Sequence, residues 1–177
     1  MKSRSKARKL MIMDACVLID FIKTDRTVLE LIVKHVGPVH VISPVVEEVG
    51  EIDDEPELQE LGLVIMEPEI KDAYAAAGHS GPISFQDRLC LLTAKRHGFK
   101  CVTNDKSLRK LCRQEGVPLL WGLEILAELH KAGGIPGKDA ELIAQAIGDS
   151  NPKHITAKII SRFKDIIRRQ ERQRSGS

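Results

Sequence analysis

Short apolar, β-branched runs alternate with helical stretches along most of this chain, and that alternation limits the fold more than any other feature. "KLMIMD", "VHVI", "LVIME", "KCVT" and "VPLL" read as strands. "DRTVLELIVKHVG", "SPVVEEVGEI", "ISFQDRLCLLTAKRHG", "DKSLRKLCRQEG" and "LEILAELHKAGG" read as helices. Thr24 or Asp25 is a cap signal, Ser43 followed by Pro44 a helix start, and Gly37 and Gly98 are stops. "DDEPELQELG" reads as an acidic loop or short helix, and "GHSGP" as a loop. Strands separated by helices pair in parallel through crossovers, with helices covering both faces of the sheet. An α/β fold with a central parallel sheet is therefore expected over residues 10–132.

"GGIPG" at residues 133–137 breaks the pattern. A helical extension is expected over 138–172, followed by a disordered tail at 173–177. In "ITAKIISRFKDIIRRQ", Ile155, Ile159, Ile160, Phe163, Ile166 and Ile167 share one helical face. Burying such a stripe is worth on the order of 10 kcal/mol gross, so it must pack on the domain or on a partner. The opposite face carries Lys158, Arg162, Lys164, Arg168 and Arg169, and is expected to meet RNA or an acidic partner.

The net charge of +2 hides an asymmetry. Residues 1–9, a basic N-terminal tip, hold five Lys or Arg and no acid. Residues 151–177 hold eight against two acids, and the segment between carries 14 basic and 23 acidic residues. With aromatics at 3%, the core must be built from Leu, Ile, Val and Ala. No apolar run reaches the roughly 18 residues of a membrane span. The basic start lacks a signal-peptide core, since Asp14 interrupts it, so a cytoplasmic location is expected. Cys16, Cys90, Cys101 and Cys112 have no C-x-x-C spacing and read as reduced thiols, not zinc ligands.

Asp14 lies inside the apolar run "MIMDACVLIDFI", where an uncompensated carboxylate is costly. It ends the first strand. Glu47 and Glu48 follow the second, Asp87 falls in the first turn of the "SFQDRLCLL" helix, and Asp105 follows "KCVT". Carboxyl ends of parallel strands open on one edge, where ligands bind. Asp14 is accordingly expected at the rim of the core, near the other acids. Each acid also has a structural explanation. Asp14 and Asp105 can cap helices, Ser84 and Asp87 form an S-x-x-D capping box, and Glu47 and Glu48 suit a solvated first turn. Four acids on one edge repel each other, and a hard divalent cation removes that repulsion.

"MIMDACVLIDF", "VISPVVEEV", "SFQDRLCLLTAKRHG" and "CVTNDKSL", in this order over about residues 10–130, resemble the PIN-domain nucleases. The resemblance implies a three-layer α/β/α sandwich with a C-terminal helical addition. It implies an acid quartet of Asp14, Glu48, Asp87 and Asp105 holding Mg²⁺ or Mn²⁺ for RNA cleavage. Glu47 and Glu51 compete with Glu48, which precedes the apolar Val49 as the family's acid does. Ser43, Thr103 and Asn104 look like supporting polar groups. Many family members carry a further acid where this chain has Ser107, which bears on a second metal site. Small stand-alone members are often VapC-type toxins, so an antitoxin partner and a homodimer are implied. A PIN-like scaffold without catalysis, binding RNA or protein, is the alternative.

Other strand-end aspartate chemistries fit less well. A haloacid-dehalogenase-type phosphatase needs D-x-D, but Cys16 stands two residues after Asp14. A receiver domain needs an acceptor Asp after a middle strand, and "LVIME" leads into Pro68. The six histidines form no ligand-like pair, and Trp121 and Tyr74 are isolated in sequence, which argues against a base-stacking platform. Lys106, Arg109, Lys110 and Arg113 follow Asp105 on one helix and could guide phosphates.

Overall fold

The computed structural model describes residues 10–50 and 55–176. Five strands, β1 (Met11–Met13), β2 (Val39–Ile42), β3 (Val64–Met66), β4 (Lys100–Val102) and β5 (Leu119–Leu120), form one sheet in the order β3-β2-β1-β4-β5. Every pairing is parallel. The ladder continues past the strands, because Asp14 N–H donates to Val102 O and Thr103 N–H to Leu120 O. β1 is central, and Met11, Ile12 and Met13 are all fully buried.

The helices are α1 (Ala15–Thr24), α2 (Thr27–His35), α3 (Ser43–Glu48), α4 (Glu55–Glu60), α5 (Ile70–Ala77), α6 (Phe85–His97), α7 (Lys106–Gln114), α8 (Gly122–Lys131), α9 (Gly137–Ser150) and α10 (Ala157–Ser175). They pack in two groups, α5–α6–α7 and α1–α2–α8–α9–α10, with α6 against β1 and β4. Helices thus flank a parallel sheet, in an arrangement consistent with a three-layer sandwich. No helix among the described residues is long and apolar enough to cross a membrane.

Two helices lie outside the sequence expectation. α1 buries Val17, Leu18, Phe21 and Ile22 and half-buries Cys16 and Ile19, so it has almost no polar face to generate a period. α5 leaves Ile70 and Tyr74 exposed, which blurs its own pattern. The N-cap position of α2 is Arg26, not Thr24 or Asp25. Asp25 closes α1, its N–H donating to Phe21 O, and its carboxylate accepts from the backbone N–H and hydroxyl of Thr27, the first residue of α2. Gly98 ends α6 as the sequence suggests, in the left-handed conformation at φ 67°.

The extension packs on the domain, α9 on α1 and α8, and α10 on α8 and α9. Ile155, Ile160, Phe163 and Ile167 are buried, while Ile159 and Ile166 are only half-buried. Gly137 permits the close approach of α10, because a Cβ there would stand 2.2 Å from Glu171 Oε1 and 2.9 Å from Ile167 Cγ2. The expected disordered tail is corrected in part. α10 runs to Ser175, and the Arg174 guanidinium donates to the carbonyls of His130 and Lys131, which holds the last turn. The N-terminal tip 1–9 and Glu51 lie outside the described residues.

Candidate active site

The strand order reverses between β1 and β4, so the crevice for a ligand opens beyond their carboxyl ends. Asp14 leaves β1 there, and Thr103, Asn104 and Asp105 leave β4. Asp14 caps α1, with Oδ1 accepting from Val17 N–H at 3.0 Å. Its Oδ2 accepts a short bond from the Thr103 hydroxyl. Thr103 Oγ1 in turn accepts from Asp105 N–H at 3.0 Å, and Asp105 caps α7 by accepting from Leu108 N–H at 2.7 Å. Ser84 caps α6 by accepting from Asp87 N–H at 3.1 Å. Glu48 is the last residue of α3 and is exposed.

Asp14 is not at the rim: it is 1% exposed. Burial pushes its pKa up to about 7, against the pull of the Thr103 and Val17 bonds, and the Asp87 charge pushes the same way. Asp87 is raised by burial and by Asp105, with Ser84 bonds opposing. Glu48 is raised by burial and by Asp87. Asp87 thus feels Asp105, and its own charge is felt by Asp14 and Glu48. Among the described residues, no lysine or arginine figures among the main influences on Asp14, Asp87 or Glu48. Equally, no three His, Cys, Asp or Glu side chains among the described residues stand close enough to make a ready-made metal-binding group.

The capping roles open from sequence are real for Asp14, Asp105 and the Ser84–Asp87 turn. They account for the position of each residue. A cap bond compensates only part of the desolvation of a buried carboxylate, and no Lys or Arg of the described residues is among the main influences on Asp14.

Of the three supporting groups, only Thr103 touches the quartet. Ser43 is turned to the other side of the sheet edge, where its hydroxyl donates to Glu67 at 2.7 Å after β3. Asn104 serves a second buried acid, Asp20, which sequence reading passed over. Asn104 Nδ2 donates to Asp20 Oδ2 at 3.2 Å, and Asn151 Nδ2 donates to Oδ1 at 3.0 Å. Burial raises the Asp20 pKa, and the two amides, His154 and Lys23 oppose it. Asn104 Oδ1 also accepts from Gly122 N–H at 2.9 Å, at the start of α8. One network thus ties α1, the β4–α7 turn, α8 and the end of α9 behind the carboxylates. The signal for Asp20 was the one that flagged Asp14, an acid inside the same apolar run. Ser107, Lys106 and Lys110 lie on α7, and Arg109 lies over the Trp121 ring at 3.6 Å. All four cysteines are free, three of them buried.

The chain matches no protein-family profile, and no curated protein is significantly similar to it.

Proposed function

We propose that the chain is a Mg²⁺- or Mn²⁺-dependent endoribonuclease that resembles the PIN-domain nucleases, acting in the cytoplasm as the toxin of a toxin–antitoxin pair. The observation that carries the catalytic part is Asp14, buried beside Asp87 with its pKa raised to about 7 and no cation of the described residues among the main influences on it. Asp14, Glu48, Asp87 and Asp105 would hold the metal. Their donors are all carboxylate oxygens, the set that hard divalent cations prefer. Mg²⁺ keeps several waters and takes only one or two carboxylates directly, which suits a loose group better than a tight cage would.

When bound, the cation activates a water and offsets charge that builds on the phosphate. The chain's own residues do the positioning. Thr103 and Val17 N–H fix both oxygens of Asp14, and Thr103 links that carboxylate to the Asp105 backbone. The N-termini of α1, α6 and α7 end at these residues, and their partial positive charge favours phosphate oxygens. The antitoxin and the homodimer rest on the resemblance alone.

The test is purified protein on a panel of structured RNAs with Mn²⁺, Mg²⁺ or chelator. Metal-dependent cleavage is expected, and cleavage undiminished in chelator would overturn the reading. A scaffold without catalysis is favoured by Ser107, which stands where many family members carry a further acid. Mn²⁺ titration separates the two, since a lapsed site binds the ion poorly.

A further inference from the structure

The α10 stripe does not close completely against the body. Between α8 and the first half of α10 lies a groove of about 300 Å³, lined by Arg113, Trp121, Lys158, Ile159, Arg162 and Ile166 among others. We propose that this groove seats one unpaired RNA nucleotide beside the carboxylate edge. The base lies against Trp121 and the Ile159–Ile166 floor, and its phosphates lie on Arg113, Lys158 and Arg162. The identity of the polymer rests on the ribonuclease reading above.

Charge is the first argument. Arg113, Lys158 and Arg162 are exposed, and none has an acidic partner among the described residues. Glu124 also lines the groove, but its carboxylate accepts from Trp121 N–H at 2.9 Å and serves the start of α8. The groove is thus a cationic rim over an apolar floor. Stacking is the second argument. The Arg109 guanidinium covers Trp121 at 3.6 Å, and its Nε donates to Asp105 O at 3.3 Å. An indole braced by a guanidinium is a surface on which any base can stack. The sequence shows Trp121 as isolated, because Arg109 and α10 reach it only through the fold.

Position is the third. Trp121 follows β5, the neighbour of β4, and Gly122 N–H is bonded to Asn104 Oδ1. The stacking surface is therefore one bond from the turn that carries Asp105. Size is the fourth. A cleft at the lower end of ligand-sized pockets admits one splayed base, not a base pair or a partner helix.

Trp121 is the only tryptophan, so its fluorescence reports on the groove alone. The experiment titrates the full chain with single-stranded oligouridylate of about six nucleotides in chelator, across a salt series. Saturable quenching is expected, and it should persist in Asp14→Asn. The variant carrying Arg113→Ala, Lys158→Ala and Arg162→Ala, shown folded by circular dichroism, should bind at least tenfold more weakly with a shallower salt slope. A duplex RNA of equal length should quench at least tenfold more weakly than the single strand. Absent quenching, or affinity and salt slope unchanged in the triple variant, overturns the proposal. So does a change in Trp121 emission with protein concentration alone, which would mean that a second copy fills the groove. Quenching without Mn²⁺-dependent cleavage would sink the nuclease reading and leave the groove standing. Cleavage without quenching would do the reverse.

Discussion

Asp14 and Asp72 are buried to nearly the same degree, 1% and 6% exposed, yet they sit in opposite electrostatic worlds. Asp72, on α5, receives a two-point contact from Arg96 on α6, with Nε at 2.7 Å from Oδ2 and Nη2 bonded to Oδ1. That contact holds its carboxyl below the usual range. Asp14 receives a hydroxyl and a backbone N–H, and its pKa rises to about 7. Surface exposure alone does not separate them. Asp14 lies deeper in the protein, so desolvation is the largest influence on it, whereas at Asp72 the Arg96 contact outweighs desolvation; depth and counter-charge together make the difference. Where the fold needs an acid for its own cohesion, as at the α5–α6 contact, it supplies the cation. At the switch point it gathers further carboxylates instead, and the balancing charge there would be that of the proposed cation.

The largest expected effect breaks the comparison at its functional end. Asp14→Asn keeps an acceptor for Val17 N–H and offers a donor to Thr103, so the local geometry survives while the charge goes. Cleavage of RNA in Mn²⁺ should fall by at least roughly a hundredfold, and likewise for Asp87→Asn and Asp105→Asn. Asp72→Asn should leave the rate within a few-fold. Initial rates on one RNA substrate check this, and equal losses for Asp14→Asn and Asp72→Asn would make the losses a matter of folding. A second comparison sharpens the quartet. Glu48 responds to the Asp87 charge. Glu48→Gln should abolish cleavage, and Glu47→Gln should leave it within a few-fold. The reverse result moves the ligand to Glu47 without changing the chemistry.

The sequence revealed the five strands and the edge on which the acids gather, because β-branched runs and strand-to-helix turns are local signals. It did not reveal α1, whose apolar residues occupy nearly every side, or the depth of Asp14. The depth depends on the β4–α7 turn, whose Thr103 hydroxyl bonds the carboxylate from a stretch of chain 89 residues away. Ser43 and Asn104 were polar residues in the right places along the chain, but their partners, Glu67 and Asp20, are 24 and 84 residues away. Spacing along one element cannot show which neighbour a side chain will choose across the sheet. The stripe on α10 was legible as a surface in need of cover. That Ile159 and Ile166 would stay half-open beside Trp121 was not, since it depends on where α8 begins.

A third prediction concerns stability without metal. The Asp14 carboxyl has a folded pKa of about 7 and an ordinary unfolded value near 3.8. Between those two values the folded chain holds a proton that the unfolded chain has lost. Stability contributed by this group is therefore present below the unfolded value and falls as pH rises, with nothing further lost above about pH 7. The cost at pH 8 is on the order of 4 kcal/mol at most, since each tenfold change in proton affinity is worth about 1.4 kcal/mol. Asp14→Asn should raise Tm by several degrees at pH 8 in chelator, with the gain shrinking to nothing near pH 4. Mn²⁺ should stabilise the native chain and narrow that gap, because the ion binds only the folded state of a chain that keeps the carboxylate. A Tm gain that is equal at both pH values would assign it to packing instead of charge.

The smallest effect tests the structural end of the comparison. Asp72 has a depressed folded pKa, so its contribution is present above the ordinary unfolded value and is lost as pH falls through the folded one. The Arg96 side chain is 29% exposed, and water screens the pair, so the contribution is modest. Asp72→Asn should lower Tm by roughly 2–4 °C near pH 7, the shift that a small loss produces in a chain of this size. The loss should fade in acid. At pH 8 the two aspartate-to-asparagine changes should therefore move Tm in opposite directions, Asp14→Asn up and Asp72→Asn down, and Mn²⁺ should alter the first shift only. Thermal unfolding of the two variants with and without Mn²⁺ makes the check. Equal signs at pH 8 would mean that both carboxylates are held by the fold for the same reason, and the switch point would lose its claim to an external cation.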